Sequence, residues 1–218
     1  MTLPPYAEQI RTALATSADT QNPSRPQDRM AAVVLPLLGG SAPSFVGILR
    51  DDRGPHGGQF ALPGGAADPT DANSWGTAVR EMREEVGLGQ EMLPLGQLGE
   101  YNTVISGYRV LVHVGFVPTS QSWTPQPGEV EAVLEIPIAQ LLPDFAQMPQ
   151  VDDVWTLPIS NGFEFDAQRF VVAGELPPRG RGHRLRMQER EEEMPFIWGL
   201  TARILYDFLR LAWPHDSG

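Results

Sequence analysis

The chain has 218 residues, 41% of them hydrophobic, and a formal net charge of −11; it has no cysteine, and all 16 basic residues are arginine. That length and apolar content support one domain of generous size, or one domain with an extension. The composition excludes disulfides, thiolate metal sites, a cysteine nucleophile and Schiff-base chemistry through lysine, and the acidity argues against general nucleic-acid binding. A small phosphate ester stays open as a partner, because it needs only a local positive site and a metal ion.

Residues 6 to 15 read as a short helix, with Tyr6, Ile10 and Leu14 four apart, and residues 16 to 29 as a polar, proline-containing linker. Residues 31 to 38 form a buried strand, 39 to 43 a turn, and 44 to 50 the returning strand. Residues 50 to 62 are too polar and glycine-rich for core. The second half of 62 to 88 is a helix. Strands follow at 95 to 101 and 108 to 116, then a loop at 123 to 128. Residues 143 to 182 hold a proline-rich join with strand pairs at 155 to 157 and 169 to 172. Five arginines crowd residues 179 to 190 and read as a solvated surface or as a grip on a substrate phosphate. Residues 196 to 213 form a last amphipathic helix that buries Ile197, Leu200, Ile204, Leu205, Phe208 and Leu211. The division expected is an N-terminal helix and linker over 1 to 29 and one domain over 30 to 218. No run of 18 apolar residues occurs, so no membrane-spanning helix is expected. Residues 1 to 6 lack the marks of a signal peptide, and residues 215 to 218 carry no Ser-Lys-Leu address. A cytoplasmic location is the resulting expectation.

The richest stretch is 62 to 88. Asn73 or Ser74 caps the helix and Gly87 ends it in the left-handed conformation. Trp75, Ala78, Val79, Met82 and Val86 make one apolar stripe, while Glu81, Glu84 and Glu85 share the neighbouring face. Three carboxylates so placed repel each other by a few tenths of a kcal/mol even when exposed. Arg80 and Arg83 offset part of this, and a hard divalent cation with oxygen ligands would offset it better. A solvated acidic helix face is the other reading. The Gly-Gly turn and the loop of small residues ahead of the helix favour the cation.

Residues 80 to 88, Arg-Glu-Met-Arg-Glu-Glu-Val-Gly-Leu, fit the pattern Arg-Glu-apolar-x-Glu-Glu-x-Gly-apolar, and Leu62-Pro63-Gly64-Gly65 fits the turn that opens it. The chain therefore resembles the Nudix hydrolases. It departs from the common box in having one residue more between Gly65 and Arg80, and in lacking the usual mid-loop Glu, whose place is taken by Asp71 or Ala72. Upstream, Arg50 followed by His56, Gly58 and Gln59 is similar to an extra motif of coenzyme A diphosphatases. His56 alone would read as a surface loop residue. Asp68-Pro69-Thr70-Asp71, the turn and strand at Thr103, Ser106, Gly107 and Val110, and residues 197 to 205 resemble the same subgroup. The likeness spans roughly residues 30 to 142 and 183 to 210.

The resemblance implies a Nudix α/β/α sandwich with a mixed β-sheet. It implies Mg²⁺ or Mn²⁺ held by Glu81, Glu84, Glu85 and the Gly64 carbonyl, with Glu84 most central. Arg80 steadies a carboxylate. Glu129 stands where several Nudix enzymes carry a further ligand or base, a plain surface glutamate being the other reading. Arg50, His56 and Gln59 bind substrate. The reaction implied is hydrolysis of coenzyme A or acyl-coenzyme A at its diphosphate, giving 4′-phosphopantetheine or its acyl form and adenosine 3′,5′-bisphosphate. The alternatives are ADP-ribose, NADH or another nucleoside diphosphate derivative as substrate, a catalytically silent nucleotide-binding Nudix module, and a purely structural interaction domain. A homodimer stays open as an assembly, and the sequence assigns residues 143 to 182 neither to a lid over the site nor to a dimer contact.

Overall fold

A computed structural model describes residues 2–17, 29–40, 42–51, 57–102, 107–142, 170–171, 196–197 and 199–213. His56, Thr103, Ser106, most of the 16-to-29 linker, residues 155 to 157 and the arginine-rich segment lie outside the described residues. Helix α1 spans Pro5–Ser17. Strands β1 (Met30–Leu38) and β2 (Ser44–Arg50) follow, then the short β3 (Phe60–Ala61) and β4 (Gly64–Ala66), and helix α2 (Ser74–Val86). Next come β5 (Leu93–Asn102), β6 (Arg109–Val117) and β7 (Val130–Pro137), with a 3-10 turn at Ile138–Gln140. Strands β8 (Phe170–Val171) and β9 (Phe196–Ile197) precede helix α3 (Gly199–Ala212).

The main sheet is mixed. β1 runs parallel to β6 along its whole length, while β5 pairs antiparallel with β6 and β7 with β2. β1 and β2 pair only at Leu37↔Phe45 and Leu38↔Ser44 and then splay apart. β4 fills the fork on the β1 side (Ala31↔Ala66 to Val33↔Gly64) and β3 on the β2 side (Ile48↔Ala61, Leu49↔Phe60). This fork carries the Leu62-Pro63-Gly64-Gly65 turn into the middle of the molecule.

Alternation along the strands produces two cores, because successive side chains point to opposite faces. Ala32, Val34, Leu38, Val46 and Ile48 pack against Ala78, Met82 and Val86 of α2. Leu35, Leu37, Phe45, Val112 and Val114 face α1 and α3, meeting Ile10 and Leu14 on one and Ile204, Leu205 and Phe208 on the other. Met82 is fully buried, which contributes about 1.5–3 kcal/mol relative to exposure. The result is the expected α/β/α sandwich, with α2 on one face of the mixed sheet and α1 and α3 on the other. Helix α1 shares the core of the main fold.

One boundary differs from the periodicity. Phe196–Ile197, expected as the first turn of the last helix, is instead a strand paired antiparallel with Phe170–Val171, and the helix starts at Gly199. Ile197 is fully buried as expected, but from a strand; a short apolar run fits either geometry. Among the described residues no helix is long and apolar enough to cross a membrane.

Candidate active site

Helix α2 is closed at both ends by its own sequence. The Asn73 side chain accepts from the Gly76 N–H, and Gly87 sits at φ 69°, ψ 41°, its N–H donating to the Arg83 carbonyl. That left-handed conformation suits glycine, and a Cβ there would come within 2.9 Å of the Thr124 Cβ. The strand-to-strand segment after β6 then runs across the helix terminus. Thr124 N–H donates to the Val86 carbonyl at 3.0 Å and Gln126 N–H to the Glu85 carbonyl at 2.9 Å. These bonds satisfy two of the carbonyls a helix end leaves without a partner, and they deliver Glu129 next to Glu85.

With Ala78, Met82 and Val86 buried against the sheet, the acidic face of α2 lines a cleft of about 420 Å³. Glu81, Glu84 and Glu85 form one wall; Gly64 and Gly65 of β4, Arg50 and Asp51 at the end of β2, and Gly128 and Glu129 before β7 complete it. The walls are joined through the backbone, with Asp51 N–H donating to the Glu129 carbonyl at 2.9 Å.

Glu85 is 3% exposed. Its Oε2 accepts from the Gly64 N–H at 2.9 Å, and its Oε1 lies 4.0 Å from Arg50 Nη1. Burial pushes its carboxyl up to about 7, with the charges of Glu81 and Glu129 adding to the effect and the Gly64 N–H and Arg50 opposing it. Burial also raises the Glu81 carboxyl, against the pull of Arg80. Glu84 is the exposed member of the three.

Arg80 organises the other side of this face. Its Nη1 donates to Glu81 Oε1 and to Glu84 Oε2, both at 2.9 Å. Its Nε donates to Asp71 Oδ1 at 3.0 Å, and its Nη2 to Asp71 Oδ2 at 3.1 Å and to the Ala66 carbonyl at 3.0 Å. The Arg80 guanidinium holds the Asp71 carboxyl well below the usual carboxylate range.

Glu81, Glu84, Glu85, Glu129, Arg50 and Gly64 are thus brought to one cleft, with Arg80 bonded to two of its carboxylates. Gln59 is not among the lining residues; its carbonyl accepts from the Arg50 N–H at 3.0 Å, and so fixes the base of the upstream loop. His56 lies outside the described residues. Sequence reasoning gave no role to Asp51, Gly65, Asp71 or Gly128. Gly65 had a signal in the Gly-Gly turn: a Cβ there would collide with the Glu81 carboxylate. Asp71 had one as well, since it stands where the box's mid-loop Glu is missing.

The donors are hard oxygens that outnumber the cations beside them, and burial, with the neighbouring carboxylates adding to it, raises two of the carboxyls. In charge and donor chemistry this suits a divalent cation. Among the described residues no three acidic or histidine groups stand at metal-ligand spacing. Glu81 and Glu84 are drawn to Arg80 Nη1, and Glu85 to the Gly64 N–H.

The comparisons identify the family. The NUDIX domain model matches residues 28–155. The chain is 33% identical over 181 residues to a Photorhabdus laumondii protein named "Uncharacterized Nudix hydrolase NudL", with 82% of each covered. It is 32% identical over 182 residues to the protein of that name from Salmonella newport, covering 81% of this chain and 79% of that one. Among solved structures it is similar to the M. smegmatis Nudix hydrolase RenU, at TM-score 0.44 and 20% identity, covering 52% of this chain and 73% of that one. It is also similar to the NUDIX domain of Shewanella oneidensis NrtR complexed with ADP ribose, at TM-score 0.42 and 19% identity, covering 62% and 87%. The chain belongs to the Nudix family. It is a hydrolase of pyrophosphate bonds in nucleoside diphosphate derivatives, a class that generally uses divalent metal ions.

Proposed function

We propose that the enzyme hydrolyses coenzyme A or an acyl-coenzyme A at the diphosphate, releasing 4′-phosphopantetheine or its acyl form and adenosine 3′,5′-bisphosphate, with Mg²⁺ or Mn²⁺. The support for this substrate is the upstream motif, whose Arg50 lines the cleft and is bonded through its backbone to Gly58 and Gln59 of the same motif. Gly58 N–H donates to the Arg50 carbonyl at 2.9 Å, Arg50 N–H donates to the Gln59 carbonyl, and Arg50 itself lines the cleft beside Glu85.

Glu81, Glu84 and Glu85, with the Gly64 carbonyl, would hold the cation. When bound, it supplies Lewis-acid polarisation of the phosphoryl group and a water of lowered pKa. The Arg50 guanidinium offers a planar, fixed charge suited to a phosphate. Glu129, the exposed carboxylate across the cleft from α2, serves as a further ligand or as the base for the attacking water. Phosphoryl transfer of this kind needs positioning and charge stabilisation more than covalent chemistry from the protein. His56 and Gln59 complete the substrate-binding set on the strength of the motif.

The test is product analysis with coenzyme A, ADP-ribose and NADH offered in parallel with Mg²⁺ or Mn²⁺. Adenosine 3′,5′-bisphosphate is the dominant product expected. Preferential cleavage of ADP-ribose or NADH would keep the chemistry and refute the substrate.

A further inference from the structure

We infer that His113 is an acid-sensitive latch on helix α2: its neutral imidazole seats the first turn of the helix through Ser74, and gain of a proton releases that turn. The device is independent of which diphosphate the cleft accepts.

Val112 and Val114 point into the α1/α3 core, so alternation turns His113, between them, towards α2. The side chain is buried, opposite Val34 of β1 on one side and Gln97 of β5 on the other. Its Nε2 lies 2.9 Å from the hydroxyl oxygen of Ser74, the first residue of α2. The Trp75 ring stands edge-on to the imidazole, with 5.7 Å between centroids. Its far end reaches the sheet at Gly115, where a Cβ would come within 3.1 Å of Trp75 Cη2 and 2.6 Å of the Met92 sulfur. The first turn of α2 thus rests on a histidine, a bare glycine backbone and a methionine. Of these contacts the His113–Ser74 pair is the polar one.

This seat suits a neutral ring and opposes a charged one. Burial pulls the His113 imidazole below its ordinary value of 6.5. The N–H groups of the first turn carry a partial positive charge, which adds to the cost of a cation beneath them. The charged groups on the surrounding elements do little to offset that cost. The first turn of α2 has no acidic residue, and Ala32, Val34 and Leu38, which face α2 from β1, are apolar. Beyond Leu111, Glu100 of β5 and Arg109 of β6 stand 3.9 Å from each other. In the loop ahead of α2, Asp71 is bonded to Arg80 and Asp68 to Thr70. Glu91, beside Met92, is exposed. A proton on His113 is therefore accommodated by opening the first turn to water. Met82 and Val86 are fully buried and keep the C-terminal half of the helix seated. The contribution of the latch is fully present above pH 6.5 and is lost as pH falls below it through the lower folded value.

The experiment is hydrogen–deuterium exchange of the full chain at pH 7 and pH 5, corrected for the intrinsic pH dependence of exchange. Residues 74 to 79 are compared with residues 82 to 88. Protection of the first segment is expected to fall about tenfold at pH 5 relative to the second, the factor carried by one pH unit of altered proton affinity. His113→Gln places an amide near Ser74 and cannot take a proton, so its protection should be the same at both pH values. An equal fall in the variant, an equal fall in both segments, or no fall in the wild-type protein overturns the inference. If His113→Gln does not fold, a magnetic-resonance titration of the wild-type imidazoles decides. His113 should then take up its proton below pH 6.5, in step with the loss of protection. Uptake at 6.5 or above, or uptake with the first turn still protected, overturns the latch.

Discussion

The two faces of the central sheet treat buried charge in opposite ways. On the α1/α3 face, Asp207 Oδ2 accepts from the Tyr101 hydroxyl at 2.9 Å and from Arg203 Nε at 2.7 Å, which ties β5 to α3. One carboxylate there has two donors. Burial, aided by Asp207, raises the Tyr101 phenol, which keeps it a donor throughout the physiological range. On the α2 face, Glu81, Glu84, Glu85, Glu129 and Asp51 gather round one cleft with Arg50, and Arg80 bonds to only two of them. The first arrangement holds elements together. The second keeps like charges close at a cost in stability, and such conflicts between local preference and fold mark sites kept for chemistry.

The largest effect that tests this contrast is on catalysis. Glu84→Gln should lower kcat about 10²- to 10⁴-fold in a coupled assay. Because the Glu84 side chain is 56% exposed, unfolding free energy should move by no more than about 0.5 kcal/mol in a urea titration. Retained turnover would remove Glu84 from the machinery.

The mirror experiment lies on the other face. Tyr101→Phe deletes a hydrogen bond to a charged acceptor and should destabilise the protein by about 1.5–3 kcal/mol while leaving kcat at the wild-type value. If turnover falls in step with Glu84→Gln, the two faces are coupled and the contrast fails.

The elements on both faces were legible for the same physical reason: burial imposes periodicity. The stripe Trp75, Ala78, Val79, Met82 and Val86 gave the orientation of α2, and Asn73 and Gly87 gave its limits, because cap chemistry is local. The three box glutamates followed from spacing on that helix. What stayed hidden depends on contacts between segments distant in the chain. The Tyr101–Asp207 bond, for example, joins residues 106 apart. Asp51 reaches the cleft only because Leu49 and Arg50 carry a register shift against β7 and the Asp51 N–H bonds to the Glu129 carbonyl. The Phe196–Ile197 strand was missed because a two-residue pairing has no period to read.

The finest difference between the faces concerns pH. In the protein without divalent cation, the folded Glu85 carboxyl keeps its proton up to about pH 7, whereas its ordinary value is 4.5. Between those values the folded state binds more protons than the unfolded chain, so this group's contribution is fully present below pH 4.5 and is lost as pH rises through 7. Glu85→Gln keeps an oxygen to accept from the Gly64 N–H but cannot ionise. Urea titrations in a chelator at pH 5, 6, 7 and 8 should therefore show wild-type stability declining more steeply with pH than that of the variant. The difference is one of slope, superimposed on whatever other groups contribute. Parallel lines would show that Glu85 ionises freely in the fold and that its burial does not raise it. Tyr101→Phe, which removes a group that stays protonated throughout this window, should lower stability at every pH by the same amount, leaving the wild-type slope intact.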